Sequence, residues 1–405
     1  MNCITIERLG EGLKDNLLHT PEGVRDLYGK ELEKKAELEK ILHETISSYG
    51  YQDIQTPGFE FFDVFSKEIG TTPSNELYKF FDKEGNTMVL RPDFTPSIAR
   101  CAAKYFLDEN MPLRFTYIGN AYNNTGELQG KLKETTQLGA ELINDDSVYA
   151  DAEMISLVIH GLLKTGLRDF QVTIGDASYF KGLCMQLHLT DEQVSTLRRL
   201  ISNKNYFAAQ EYLEKEQANE IVNNPLLLLE EYIGEKEILE RALLPVQNEM
   251  SKNAVLRLQN LYSILQQYGV EQYVLFDLGM LSKYQYYTGM IYKVYTYGIG
   301  DAIVTGGRYN NLLSQFGKSA PAVGFVCIID DILKALNHQN IQIFTNKKKK
   351  IVLYKKECFK QALHKAEELR NSGVCCELIE FNEKISDYSY EAYEKRIGAD
   401  EIIRY

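Results

Sequence analysis

No apolar run in this chain approaches the ~20 residues that a bilayer-spanning helix requires. The longest candidate, NPLLLLEEYI at 224–233, is far shorter and reads as a buried helix segment. The N-terminus has no charged segment followed by an apolar run, so no secretion signal is expected. The seven cysteines (Cys3, Cys101, Cys184, Cys327, Cys358, Cys375 and Cys376) include no CxxC pair. The adjacent Cys375 and Cys376 sit in an apolar run that reads as a strand. Neither a disulfide framework nor a metal site is expected, and the compartment expected is the reducing cytoplasm. No GxGxxG follows a strand and no GxxxxGK[ST] is present, which removes a dinucleotide fold and a P-loop. Positive charge is also scarce: 45 Lys and Arg stand against 57 Asp and Glu, a formal charge of −12. A broad nucleic-acid surface needs clustered basic residues, so this balance argues against one, although a local basic face remains compatible with it.

What is present is an ordinary globular composition, 44% hydrophobic and 25% charged over 405 residues. That length suits two or three domains. Residues 29–49 predict a helix with Leu32, Ala36, Ile41, Leu42 and Ile46 on one face and Gly50 just past its end. YQDIQTPGFEFFDVF, broken by Pro57, predicts a short strand, a turn and an edge. Residues 76–93 predict a hairpin turning at Lys83–Asn86. A helix follows at 94–106, then strands at 113–122 and 134–142 around a polar loop. A helix at 150–164, closed by Gly166, leads to a strand at 169–175. Residues 177–268 are helical and charge-rich with no strand signal, as in a helical insertion. The strongest strand signals lie at 273–307, and a helix is expected at 324–337. The lysine run at 347–350, most simply a solvated linker, introduces a small α/β module ending at 405. Strands early, an inserted helical block and strands again predict an α+β domain over 1–340 on an antiparallel sheet flanked by helices, plus a module over 347–405.

Three segments carry the chemistry. They are LRPDFTPSIAR at 90–100, YIGNAYNNTGELQGKLKETTQLGAE at 117–141, and LSKYQYYTG at 281–289 together with GGRYNNLLSQFGKSAPAVGF at 306–325. These resemble the class II aminoacyl-tRNA synthetase motifs, specifically those of the histidyl-tRNA synthetase family, and the similarity runs over about 20–335. The resemblance implies a histidine pocket. Asp93 and Thr95 match the acidic residue and threonine that hold the α-amino group in that family's LRPEGT segment. Gln137 and Glu141 match the Gln and Glu lining the pocket, and Tyr286 and Tyr287 match the aromatic pair against the imidazole. Gly306, Gly307 and Arg308 match its GGRY turn. The chemistry is coherent: carboxylates complement an ammonium group and a protonatable imidazole, and tyrosines give an aromatic wall with a polar tip. Taken singly, each residue has a plainer role. Asp93 would cap the helix that follows, Tyr286 and Tyr287 would be sheet residues, and Gln137 and Glu141, on one face of a strand, would form a surface pair. Their joint occurrence at family spacing favours a pocket, working or relic.

The same resemblance exposes what has been lost. Activating an amino acid brings a carboxylate against a phosphate, and positioned arginines stabilise that charge. Each charge-assisted contact contributes about 1.5–3 kcal/mol. Where the family places its ATP-binding arginines, this chain has Asn123, Ser282 and Asp331, and Thr125 replaces the motif's Glu. Gly130 is kept in the loop, whose basic positions fall on Lys131 and Lys133, and Lys283 adjoins Ser282. The C-terminal module is about half the length of the family's anticodon-binding domain. A retained amino-acid end, a disarmed ATP end and a shortened tRNA domain resemble one paralogous family, the regulatory subunits of ATP phosphoribosyltransferase. That resemblance implies a chain without chemistry of its own and without a cofactor. It would act with a short-form catalytic subunit in the first step of histidine biosynthesis, with histidine as the feedback effector. It also implies a homodimer within a hetero-octamer, its interface including the helix at 29–49 and the strand around Pro57. The alternatives are a divergent active histidyl-tRNA synthetase and a sensor of uncharged tRNA, against which the net charge argues.

Overall fold

The computed structural model describes residues 18–65, 72–125, 131–216, 225–281, 286–343 and 348–405. The chain opens with helix α1 (Gly29–Ser47), then β1 (Gln52–Asp53), β2 (Phe59–Phe61), β3 (Lys79–Phe81), β4 (Thr87–Leu90), α2 (Thr95–Tyr105), β5 (Leu113–Tyr122) and β6 (Glu134–Ile143). Next come α3 (Val148–Lys164), β7 (Phe170–Asp176), α4 (Ala177–Gln186), α5 (Asp191–Ser202), α6 (Tyr206–Glu216), β8 (Ile233–Gly234), α7 (Glu237–Leu243) and α8 (Glu249–Tyr268). The remainder is β9 (Val274–Asp277), β10 (Met290–Thr296), β11 (Val304–Arg308), β12 (Ala322–Ile328), α9 (Ile329–His338), β13 (Lys349–Tyr354), α10 (Phe359–Asn371), β14 (Cys375–Glu380), α11 (Asp387–Ile397) and β15 (Glu401–Arg404).

A nine-stranded sheet, in the order β1-β5-β6-β12-β11-β10-β7-β9-β8, carries the fold. Its centre from β5 to β7 is antiparallel throughout. Toward its ends β1 runs parallel to β5 and β9 parallel to β7, so the sheet is mixed rather than purely antiparallel. The parallel pairs follow from connectivity. Parallel neighbours need a long crossover, and the α4–α8 block supplies one between β7 and β9. One face is packed by α3, α8 and α9, which contact β11 and β12, β7, and β6 and β12 respectively. The opposite face bears the site.

Several sequence expectations are corrected here. The helix expected from 324 begins at Ile329, because Ala322–Ile328 is a strand inserted between β6 and β11. Its residues are almost all buried, so its apolar run lacks alternation and cannot be told from a buried helix by period. Gly306, Gly307 and Arg308 lie in strand β11, not in a turn. The helical block contains the short strand β8, and Leu227–Glu230 is a single 3₁₀ turn rather than a helix segment. In α1 the buried stripe is Leu38, Leu42 and Ile46, spaced by four, whereas Leu32 and Ala36 are exposed. Gly50 stands at φ +85°, the left-handed conformation that glycine supplies after a helix.

Packing divides the chain into two compact units, one holding Ile41–Ile341 with the residues up to Asp26, the other Leu27–Lys40 with Gln342–Tyr405. In the second, β13 pairs in parallel with β14 and β15, and Val352 packs against Ala362, Ala366 and Leu369 of α10. Lys349 and Lys350 are strand residues paired with Glu33 and Glu401, so half of the lysine run is structural rather than a solvated linker. No helix among the described residues is long and apolar enough to cross a membrane.

Candidate amino-acid pocket

Glu141 is the centre of the site. It is only 1% exposed on β6, on the sheet face away from α3 and α8. Directly across the ladder stands Gly324 of β12. A Cβ on Gly324 would lie 1.7 Å from Glu141 Oε2, so the carboxylate lies over this residue and only glycine leaves it room. One carboxylate oxygen accepts a hydrogen bond from Thr95 Oγ1 at 2.7 Å, and the other accepts one from the Tyr309 hydroxyl. Burial pushes this carboxyl up to about 8; the two hydroxyl hydrogen bonds oppose that rise and the nearby Asp93 charge adds to it. The group is therefore a buried acid with no basic residue among its described hydrogen-bond partners.

The first turn of α2 brings Asp93 and Thr95 to this point. Asp93 Oδ1 accepts from the Thr95 N–H at 2.7 Å, which ties the start of α2, although the N-cap residue is Phe94 and makes no side-chain capping bond. Its charge is felt at both Glu141 and Tyr117, which places the two carboxyl groups in one electrostatic neighbourhood. Tyr286 packs on Tyr287 with ring centroids 4.4 Å apart and meets Tyr309 edge-on at 5.9 Å. The Tyr287 ring lies over Gly307 in the row that contains Gly324. Gln137, on the same face of β6, is 6% exposed, and its Oε1 has no hydrogen-bond partner among the described residues. Gln137 and Glu141 are thus buried residues on one face of β6 rather than a surface pair. An unpaired acceptor in such a place calls for a donor. Thr95, Tyr309, Tyr286 and Tyr287 thus gather around the buried acid, with Asp93 near it and Gln137 on the same face of β6.

Asn123 donates from Nδ2 to the Pro92 carbonyl at 3.3 Å, and its Oδ1 accepts from Thr72 Oγ1 at 3.4 Å. Its amide is spent on neighbouring protein. Asp331, in the first turn of α9, pairs with Lys334 at 2.8 Å. Lys131, one of the loop's basic residues, pairs with Asp301 at 2.8 Å. Ser282, Lys283 and Gly130 lie outside the described residues.

A sequence profile of the family described as histidyl-tRNA synthetase matches residues 23–332. An ATP phosphoribosyltransferase regulatory subunit of Acetivibrio thermocellus is 38% identical over 363 residues, which cover 89% of this chain and 86% of that protein. One from Clostridium kluyveri is 37% identical over 368 residues, covering 90% and 94%. The chain belongs to the ATP phosphoribosyltransferase regulatory subunit family. A crystal structure described as an ATP phosphoribosyltransferase regulatory subunit/histidyl-tRNA synthetase from Bacillus halodurans C matches with a TM-score of 0.86 and 31% identity, covering 96% of this chain and 98% of that one. Histidyl-tRNA synthetase from Nostoc sp. PCC 7120, at TM-score 0.78 and 20% identity over 94% and 90% of the two chains, shares the fold alone.

In this regulatory-subunit chain three residues near the six candidate positions were not singled out from sequence. Tyr309 follows directly on the GGR triplet, and its role was readable as the next residue of that motif. Gly324 became visible only through the β6–β12 register. Tyr117, stacked on Phe94 with centroids 4.3 Å apart, reads in sequence as one more strand tyrosine.

Proposed function

We propose that this chain is a non-catalytic subunit required by a separate, short-form ATP phosphoribosyltransferase chain, and that free histidine bound in the Glu141 pocket mediates feedback inhibition. Asp93, Thr95, Gln137, Glu141, Tyr286 and Tyr287 would hold the effector. The reaction served is the first step of histidine biosynthesis, and the assembly is a homodimer of this chain within a hetero-octamer. One observation supports the reading: Glu141 is buried and held by Thr95 and Tyr309, with Tyr286 against Tyr309, while the described positions of the lost nucleotide clamp are engaged elsewhere. Asn123 is tied to Pro92 and Thr72, and Asp331 is tied to Lys334. A triphosphate would find a neutral amide and a carboxylate where positive charge is required.

The test has two arms. Isothermal titration of the full chain with L-histidine should show saturable binding, and Glu141→Gln should weaken it about tenfold, because the amide has one oxygen where the acid has two and disturbs a buried hydrogen-bonded group. Mixed with a short-form catalytic chain from the same genome, the protein should raise phosphoribosyl transfer to ATP, and histidine should then lower it. Histidine-dependent exchange of pyrophosphate into ATP by this chain alone would overturn the proposal in favour of an active synthetase.

A further inference from the structure

Arg91 is a cation that the pocket described above does not yet use. It precedes α2 and reaches across β5, where its Nη2 would stand 2.7 Å from a Cβ on Gly119. Gly119 is paired directly with Gln137 across the β5–β6 ladder, so the guanidinium lies on the same sheet face as Gln137 and Glu141. Opposed residues in such a ladder have Cα atoms about 4.5–5.5 Å apart. The side chain is held from three sides. Nε donates to the Asn120 carbonyl at 2.8 Å, Nη1 donates to the Thr56 carbonyl at 3.0 Å, and the guanidinium lies over the Phe94 ring at 3.9 Å from its centroid. No carboxylate among the described residues forms an ion pair with it, and none of its hydrogen bonds uses Nη2. A half-buried arginine fixed by neutral groups retains its whole charge and a free pair of N–H donors.

We infer that Arg91 is the carboxylate-binding residue of the pocket: its Nη2 edge takes the α-carboxylate of an amino-acid ligand whose ammonium is taken by the Asp93 and Gln137 side. This rests on the histidine reading above and deepens it, by naming the group that separates an amino acid from a bare imidazole amine. The Arg91 donor pair over Gly119 of β5 and Gln137 Oε1 of β6, without a partner among the described residues, stand at paired ladder positions on one sheet face, and neither satisfies the other. Without Arg91, the carboxylate would meet the Asp93 charge and the buried acid Glu141 with no described cation to offset them.

Titration calorimetry of the full chain with L-histidine and with histamine, which lacks the carboxylate, separates the possibilities. Wild type should prefer histidine strongly. Arg91→Gln should lower histidine affinity about tenfold or more and leave histamine affinity unchanged, so the preference collapses. Arg91→Lys, which keeps the charge without the fork, should retain part of it. Because Arg91 also braces Thr56 and Asn120, unchanged histamine binding is the control for an intact fold. Equal loss for both ligands would assign Arg91 a structural role and overturn the inference, as would Arg91→Gln binding histidine like wild type. A wild-type chain that binds neither ligand would overturn the histidine reading itself, and this one with it.

Discussion

A single glycine decides whether the pocket has a floor. Glu141 can lie flat only because position 324 has no side chain. Gly324→Ala should therefore displace the carboxylate and abolish histidine binding in calorimetry while far-ultraviolet circular dichroism stays that of the folded chain. The buried acid also gives a pH signature. Its pKa rises from 4.5 to about 8 on folding, so the neutral form is favoured in the folded protein. The stabilising contribution is complete below about pH 4.5 and is lost as pH climbs through about 8. The melting temperature of the ligand-free protein should decline over that window, and Glu141→Gln should flatten the decline. At this scale the sequence was most informative where family spacing fixed residue identity, as at Thr95 and Glu141. It was silent on Arg91, because an arginine's role depends on which carboxylates fail to reach it.

Among elements, the helix-covered face is tied by an ionic cluster. Asp151 of α3, fully buried, accepts from Arg308 of β11 at 2.7 Å and from Arg257 of α8 at 2.6 Å. Arg308 is itself only 2% exposed and also donates to the Asp145 carbonyl at 2.9 Å. Removing the one carboxylate leaves Arg257 without an ion-pair partner among the described residues and Arg308 with Asp146 alone. Asp151→Asn should therefore cost about 3–5 kcal/mol in urea unfolding, seen as a lower midpoint at unchanged slope. The arginine of the GGRY segment is thus a structural tie beneath the pocket rather than a ligand contact. Sequence placed α2, β5, β6 and the β3–β4 hairpin well, since each had a clear period and a turn signal, such as Asp82, whose carboxylate accepts from the Glu84 and Asn86 N–H groups. It misplaced β12 because a strand buried on both faces shows no alternation. It also misjudged α1, because the apolar residues there outnumber those that face the core.

For the molecule as a whole, separation of regulation from chemistry is the central expectation. The chain alone should neither exchange pyrophosphate nor transfer phosphoribose, and both histidine response and transferase activity should appear together on adding the catalytic partner. A coupled assay across a titration of the two chains should reach a plateau at a fixed ratio, whereas activity that rises without limit would count against a defined assembly.

The excursion between β7 and β9 bears on how this architecture can change over time. Its two ends rejoin the sheet as parallel neighbours, and no tight bend can close such a pair. Its exposed residues can be exchanged while buried ones such as Tyr179, Phe180 and Leu183 are core, and a descendant that trims the block must retain a spacer able to carry the chain back to the sheet's starting end. With Leu258, Leu261 and Leu265 buried, α8 is the piece best placed to be that last survivor.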